Sequence, residues 1–102
     1  MAIRTTLVFK RPDTSIAFDE MVKRTSDLEN YWQTNYRDTG KITDWTRTDS
    51  EDGLTRTLVI TWKDEASSIE FVKDSTIQAM LNYRDSYNIE NGISFEKSTE
   101  EI

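Results

Sequence analysis

Arg56-Thr57-Leu58-Val59-Ile60-Thr61-Trp62 is the stretch whose reading decides the fold. It is rich in β-branched and aromatic residues, with an apolar run Leu58-Val59-Ile60 set between threonines, as a central strand requires. It also has a partner near the N-terminus. Thr6-Leu7-Val8-Phe9 matches Thr57-Leu58-Val59-Ile60, and Ser15-Ile16-Ala17-Phe18 matches Ser68-Ile69-Glu70-Phe71 in the same order. The second copy carries two extra residues, Thr61-Trp62. Two matches in register suggest two related strand-then-helix halves.

Working outward, Ala2–Lys10 reads as the first strand, with Ile3, Thr5, Leu7 and Phe9 on one face. Pro12 ends it, and Asp13-Thr14-Ser15 offers capping oxygens. A first helix is predicted from about Thr14 to Tyr36, with Phe18, Met21, Val22, Thr25, Leu28 and Trp32 on its apolar stripe. Gly40 stops it. Lys41–Thr48 and Leu54–Trp62 flank the turn Asp49-Ser50-Glu51-Asp52-Gly53, which predicts an antiparallel hairpin. Asp64 caps a second helical region that presents Ile69 and Val72. It is interrupted at Lys73-Asp74-Ser75 and then presents Ile77, Met80, Leu81 and Arg84. A short strand, Ile93–Lys97, closes the domain at residues 1–97, and residues 98–102 read as a fraying polar tail.

The order β-α-β-β-α-β predicts an α+β, ferredoxin-like fold: a four-stranded antiparallel sheet with two helices on one face. The first and third strands lie at its centre. Leu7, Phe9, Leu58, Ile60 and Trp62 then face the helices. Arg4, Thr6, Val8, Lys10, Thr43, Trp45, Arg47, Thr55, Thr57, Val59, Thr61, Ser94 and Glu96 face away. Val8, Trp45, Thr57 and Val59 on that open face are the candidates for a homodimer interface, since such a group is poorly suited to water.

Composition narrows the function classes. At 102 residues the chain has the size of one domain. There is no Cys and no His, which removes disulfides, thiolate zinc sites, His-based triads and His-ligated haem. No metal site or cofactor is expected. The loop Asp49-x-Glu51-x-Gly53 lacks the calcium-loop spacing, with Ile60 where the closing Glu would stand. A net charge of −6 disfavours phosphate-backbone binding and permits basic partners. The open faces of the central strands carry Val8 and Val59 where an RNA-recognition module needs aromatics. No apolar run approaches the ~20 residues of a membrane span, and the N-terminus lacks a signal peptide's apolar core. The expectation is cytoplasmic residence with no membrane or nucleic-acid partner.

Two constellations could serve a site. With Thr48 opposite Leu54, Asp44 lies diagonal to Arg56 on the helix side, within ion-pair reach. Trp32, Tyr83 and Arg84, with Tyr31, Tyr36 and Tyr87, cluster near the helix ends. Ligand-pocket candidates are therefore Trp32, Asp44, Arg56, Trp62, Tyr83 and Arg84.

Thr57–Ala66, followed by Phe71, Asp74, Arg84, Tyr87 and Asn91-Gly92-Ile93, resembles the second half of small dimeric α+β-barrel proteins. A strand ending in Trp, an acidic-Ala helix start, a Phe-x-x-Asp break, an Arg-x-x-Tyr helix and a Gly-Ile strand entry carry the likeness. The resemblance implies an obligate dimer with sheets face to face and a pocket between each sheet and its helices. Such proteins include cofactor-independent monooxygenases, stress-response dimers and haem-handling proteins. The haem type needs a His that is absent here. Of the polar set the monooxygenases use, this chain offers Trp and Asn. The sequence therefore reads as a small acidic binding protein, homodimeric, with a protein or small-molecule partner. A cofactor-independent enzyme of the α+β-barrel type, or a phage-type acidic inhibitor of a basic host protein, are the alternatives.

Overall fold

The structure is a computed structural model that describes residues 1–21 and 25–102. Four strands, β1 (Ile3–Lys10), β2 (Ile42–Asp49), β3 (Thr55–Trp62) and β4 (Ser94–Glu101), form one antiparallel sheet in the order β2-β3-β1-β4. Helices α1 (Ser26–Trp32), α2 (Glu65–Lys73) and α3 (Ser75–Asn91) lie on one face. The fold is the α+β, ferredoxin-like one that the sequence predicts, with β1 and β3 at the centre. Its thinnest dimension is 18 Å, the thickness of one helix layer on one sheet layer.

The central pair obeys its period of two. Ile3, Thr5, Leu7 and Phe9 are buried in turn along β1, and Arg56, Ile60 and Trp62 along β3. Leu7 stands directly opposite Leu58. These two residues are equivalents in the internal repeat, so the pseudo-twofold axis of the halves passes between them.

The first helical region differs from the continuous helix expected. Asp13 Oδ1 accepts from the Ser15 amide at 2.8 Å, which makes a local turn and not a helix start. A 3₁₀ turn follows at Phe18–Met21, burying Phe18 and Met21. The stripe residue Val22 lies outside the described residues. Thr25 caps α1 through the Leu28 amide at 3.2 Å. The helix then widens into a π turn, Gln33–Arg37, closed by Asp38 N–H donating to Gln33 O at 2.8 Å. The interruption after Lys73 is as predicted: Asp74 caps α3 by accepting from the Thr76 and Ile77 amides at 2.9 and 3.5 Å. Ser67 and Phe71 are the buried residues of α2, whereas Ile69 and Val72 remain partly exposed. Gly92 ends α3 at φ 68, a left-handed position where a side chain is strained.

Two strand boundaries move. Residues 98–101 are strand and not a fraying tail: Ser98, Thr99, Glu100 and Glu101 pair with Thr6, Thr5, Arg4 and Ile3. The backbone of β1 supplies the ladder partners that polar side chains alone do not announce. In the hairpin, Thr48 sits opposite Thr57, not Leu54, and Asp49 opposite Arg56. A bulge between Ile42 and Asp44 takes up one residue. Because side chains alternate, that single residue turns the rest of β2 over. Trp45 and Arg47 go to the helix face, opposite Ile60 and Leu58, and Asp44, Thr46 and Thr48 go to the open face.

Candidate functional site

The register creates a row across the whole sheet at its end near the 3₁₀ turn. Asp49 stands opposite Arg56, Arg56 opposite Phe9, and Phe9 opposite Phe95. Arg56 is 9% exposed. Its guanidinium donates from Nε to Asp49 Oδ1 at 2.9 Å and from Nη2 to Asp49 Oδ2 at 3.2 Å, a bidentate pair. Its Nη1 donates to Asp19 Oδ1 at 3.1 Å. The predicted Asp44–Arg56 pair does not form. Asp44 is exposed on the other face, where the bulge turns it, and the hairpin register sets Asp49 opposite Arg56 in its place.

Phe18, from the 3₁₀ turn, lies against two cations. Arg56 Cζ is 4.9 Å and Arg11 Cζ 4.4 Å from its ring centre. Arg11 is anchored by donating from Nε to Gly53 O at 2.8 Å and from Nη1 to Ile16 O at 2.5 Å. Arg47 Nη1 reaches Asp19 Oδ1 at 3.9 Å. Charge coupling shows in the ionisation of the group. The Arg56 hydrogen bonds hold the Asp49 carboxyl below the usual carboxylate range, against some desolvation. Those same bonds push Arg56 up from its ordinary value. At the far end of the row, Phe9 and Phe95 stack at 5.1 Å. Arg84 covers them, 4.6 Å from the Phe95 ring and 5.6 Å from the Phe9 ring.

One turn beyond Arg84 on the same stripe of α3, Asn88 is 4% exposed, and neither its Oδ1 nor its Nδ2 has a hydrogen-bond partner among the described residues. Sequence reasoning missed Asn88. Nothing in a helix-interior Asn distinguishes a buried carboxamide from a solvated one.

The other pocket candidates disperse. Trp45 does not belong to the open face: it stacks on Trp32 with ring centres 5.1 Å apart, and both are half-buried between α1 and β2. Trp62 is a core residue at 2% exposure, and its Nε1 donates to Thr5 Oγ1 at 3.3 Å. Tyr83 is 43% exposed on the outside of α3. Tyr87 donates to Ala17 O at 2.6 Å. Tyr31 and Tyr36 both donate to Asp74 Oδ2 at 2.5 Å. In an α-helix, residues five apart diverge by roughly 140°; the π turn brings these two hydroxyls to one acceptor. Burial pushes the Tyr36 hydroxyl pKa well up, and the Asp74 bond adds to it. Burial raises Asp74, but the two tyrosine hydroxyls together with the Thr76 and Ile77 amides outweigh it and hold the carboxyl below its ordinary range.

On the open face, Val8 pairs with Thr57 and Thr6 with Val59, a half-buried patch at the centre of the sheet. Beside it, Thr6, Val8, Glu96, Lys97 and Ser98 line an open recess of ≈ 380 Å³. A second recess of ≈ 280 Å³ lies between α2 and β4, among Ile3, Glu65, Ser68, Ile69 and residues 99–101. Among the described residues no group of acids is placed to hold a metal ion, and no helix is long and apolar enough to cross a membrane.

This architecture is that of the ferredoxin-like α+β proteins, and the resemblance drawn from Thr57–Ile93 holds at the level of fold. No family model matches the sequence, and no curated protein does. Solved structures do match. SnoaB, a cofactor-independent oxygenase from Streptomyces nogalater, aligns over 99% of this chain and 92% of its own at 8% identity and TM-score 0.68. Rv0793 from Mycobacterium tuberculosis aligns over 100% and 95%, at 16% identity and TM-score 0.66. A dimeric ferredoxin-like protein of unknown function from Jannaschia sp. CCS1 aligns over 98% and 99%, at 12% identity and TM-score 0.63.

Proposed function

We propose that this protein is a binding module that pairs with a second copy of itself through the open sheet face. The observation that carries the reading is the Val8–Thr57 and Thr6–Val59 patch: it lies at the centre of a face that the helices leave uncovered. Four strands about 4.8 Å apart, each eight residues long, give a flat footprint of roughly 500 Å². Side-chain relief raises that toward the ~800 Å² per partner of a stable interface. The description of the Jannaschia neighbour as dimeric supports the same reading. The face carries both signs, Arg4 and Lys10 against Asp44, Glu96 and Glu100, with Arg4 and Glu100 3.6 Å apart. A surface of mixed charge suits self-pairing better than capture of a strongly basic protein.

The test is mass in solution. Wild type is expected at twice 11.9 kDa by light scattering, and Val8→Glu with Val59→Glu at 11.9 kDa with unchanged helix content. A wild-type monomer at micromolar concentration refutes the proposal.

A cofactor-independent oxygenase is the second reading. The likeness to SnoaB favours it, as does the Asn88 carboxamide between α3 and the sheet, which is unbonded among the described residues. It needs an interior cavity. Phe9 and Ile77, with no exposed surface, fill the centre of the helix–sheet interface instead. Crystals under xenon pressure with no interior xenon site would remove this reading.

A further inference from the structure

We propose that Arg47 and Arg56 form a seat for a small oxyanion, a carboxylate or a phosphate, which the Asp19 carboxylate occupies in this structure. The proposal rests on the helix-side geometry and is independent of pairing through the open face.

Arg56 is a preorganised donor. Asp49 holds two of its nitrogens, and the Phe18 ring lies against its plane. What remains is Nη1, directed at Asp19 Oδ1 at 3.1 Å. A guanidinium fixed on one edge and one face presents its last edge without further ordering, which favours a planar or tetrahedral oxyanion. Arg47, from the neighbouring strand, closes on the same oxygen more loosely, at 3.9 Å, with its side chain 48% exposed.

The present occupant sits on a single 3₁₀ turn, and its side chain is 71% exposed, so solvent anions reach it. Local charge runs against the protein's overall −6: Arg11, Arg47 and Arg56 all act on Asp49. An ion pair serving stability alone would not need the second, exposed arginine, because exposed pairs contribute ~0–1 kcal/mol. A tethered carboxylate on two arginines is also what an internal competitor looks like. It sets the anion threshold near its own effective concentration, of the order of millimolar.

The experiment follows amide and arginine Nε–H resonances by NMR while inorganic phosphate, or separately acetate, replaces chloride at constant ionic strength. Asp19→Ala is expected to show saturable shifts at Arg47 and Arg56, with an affinity at least about tenfold tighter than wild type. Arg47→Gln, a change at a half-exposed side chain, is expected to abolish saturation in both backgrounds. If Asp19→Ala does not fold, Asp19→Asn serves in its place. A response to phosphate alone, or to acetate alone, identifies the anion class. Linear drift with both anions, or saturation that survives Arg47→Gln, overturns the proposal.

Discussion

Asp74→Ala tests how the helical layer is held together. One carboxylate does three jobs. Its Oδ1 accepts from the Thr76 and Ile77 amides at the start of α3, and its Oδ2 accepts from the hydroxyls of Tyr31 and Tyr36. Removing an N-cap costs about 1 kcal/mol. Tyr36 is 2% exposed, so its hydroxyl loses its acceptor out of reach of water, for about 1–3 kcal/mol. Tyr31 is half-buried and rehydrates, so little is added for it. The expected loss is about 3 kcal/mol, which for a domain of this size lowers Tm by roughly 12–24 °C. The assay is urea unfolding followed by tryptophan fluorescence and far-UV circular dichroism, which should coincide. Two companion variants separate the contributions. Asp74→Asn keeps the capping oxygen but sets an NH2 donor where Oδ2 accepts from the tyrosines, so it should keep the cap and lose about 2 kcal/mol. Tyr36→Phe removes the donor with its bond, leaving no orphan, and should cost about 1 kcal/mol. An Asp74→Ala protein within ~0.5 kcal/mol of wild type would falsify the three-way knot.

The same knot predicts the alkaline limb. Tyr36 has its folded pKa raised above the unfolded ~10, so its contribution is fully present below pH ~10 and is lost as pH rises through the folded value. Ultraviolet titration should show one of the four tyrosines ionising last, with the unfolding transition, and that component should vanish in Tyr36→Phe. Trp45→Ala should cost about 2 kcal/mol through loss of its stack on Trp32, and change the near-ultraviolet dichroism, while leaving the solution mass unaltered. A change of mass without loss of stability would return Trp45 to the open face.

Most of the fold was legible because its central strands are unambiguous. Along β1 and β3 the alternation sets large apolar groups against Thr, Arg and Lys, so one face alone can be buried. The cap at Asp64 and the break at Lys73-Asp74-Ser75 were equally readable, although Asp74 and Ser75 both offered a capping oxygen and the structure uses Asp74. The candidate site was legible in part. Arg56 and Arg84 were singled out, and they stand at two ends of one aromatic row. Their neighbours Phe9 and Phe18 read as core, and nothing in the sequence singles out Arg11 or Phe95.

What tertiary structure decided lies in β2 and in the turn after α1. Lys41–Thr48 carries Thr43, Trp45 and Arg47 on one face and Asp44, Thr46 and Thr48 on the other, a contrast too weak to orient a strand. One bulge residue settled whether Trp45 faces α1 or a second copy, and that bulge together with the hairpin register settled whether Arg56 meets Asp44 or Asp49. The π turn at Gln33–Arg37 has the same character: its local sequence suits an ordinary helix, and the widening places Tyr36 on an acceptor 38 residues away. The sequence by itself determined the strand order, the caps and the two central strands, because those depend on spacing along the chain. The partner of each charge and the face of the edge strand depend on register between segments, which only packing sets.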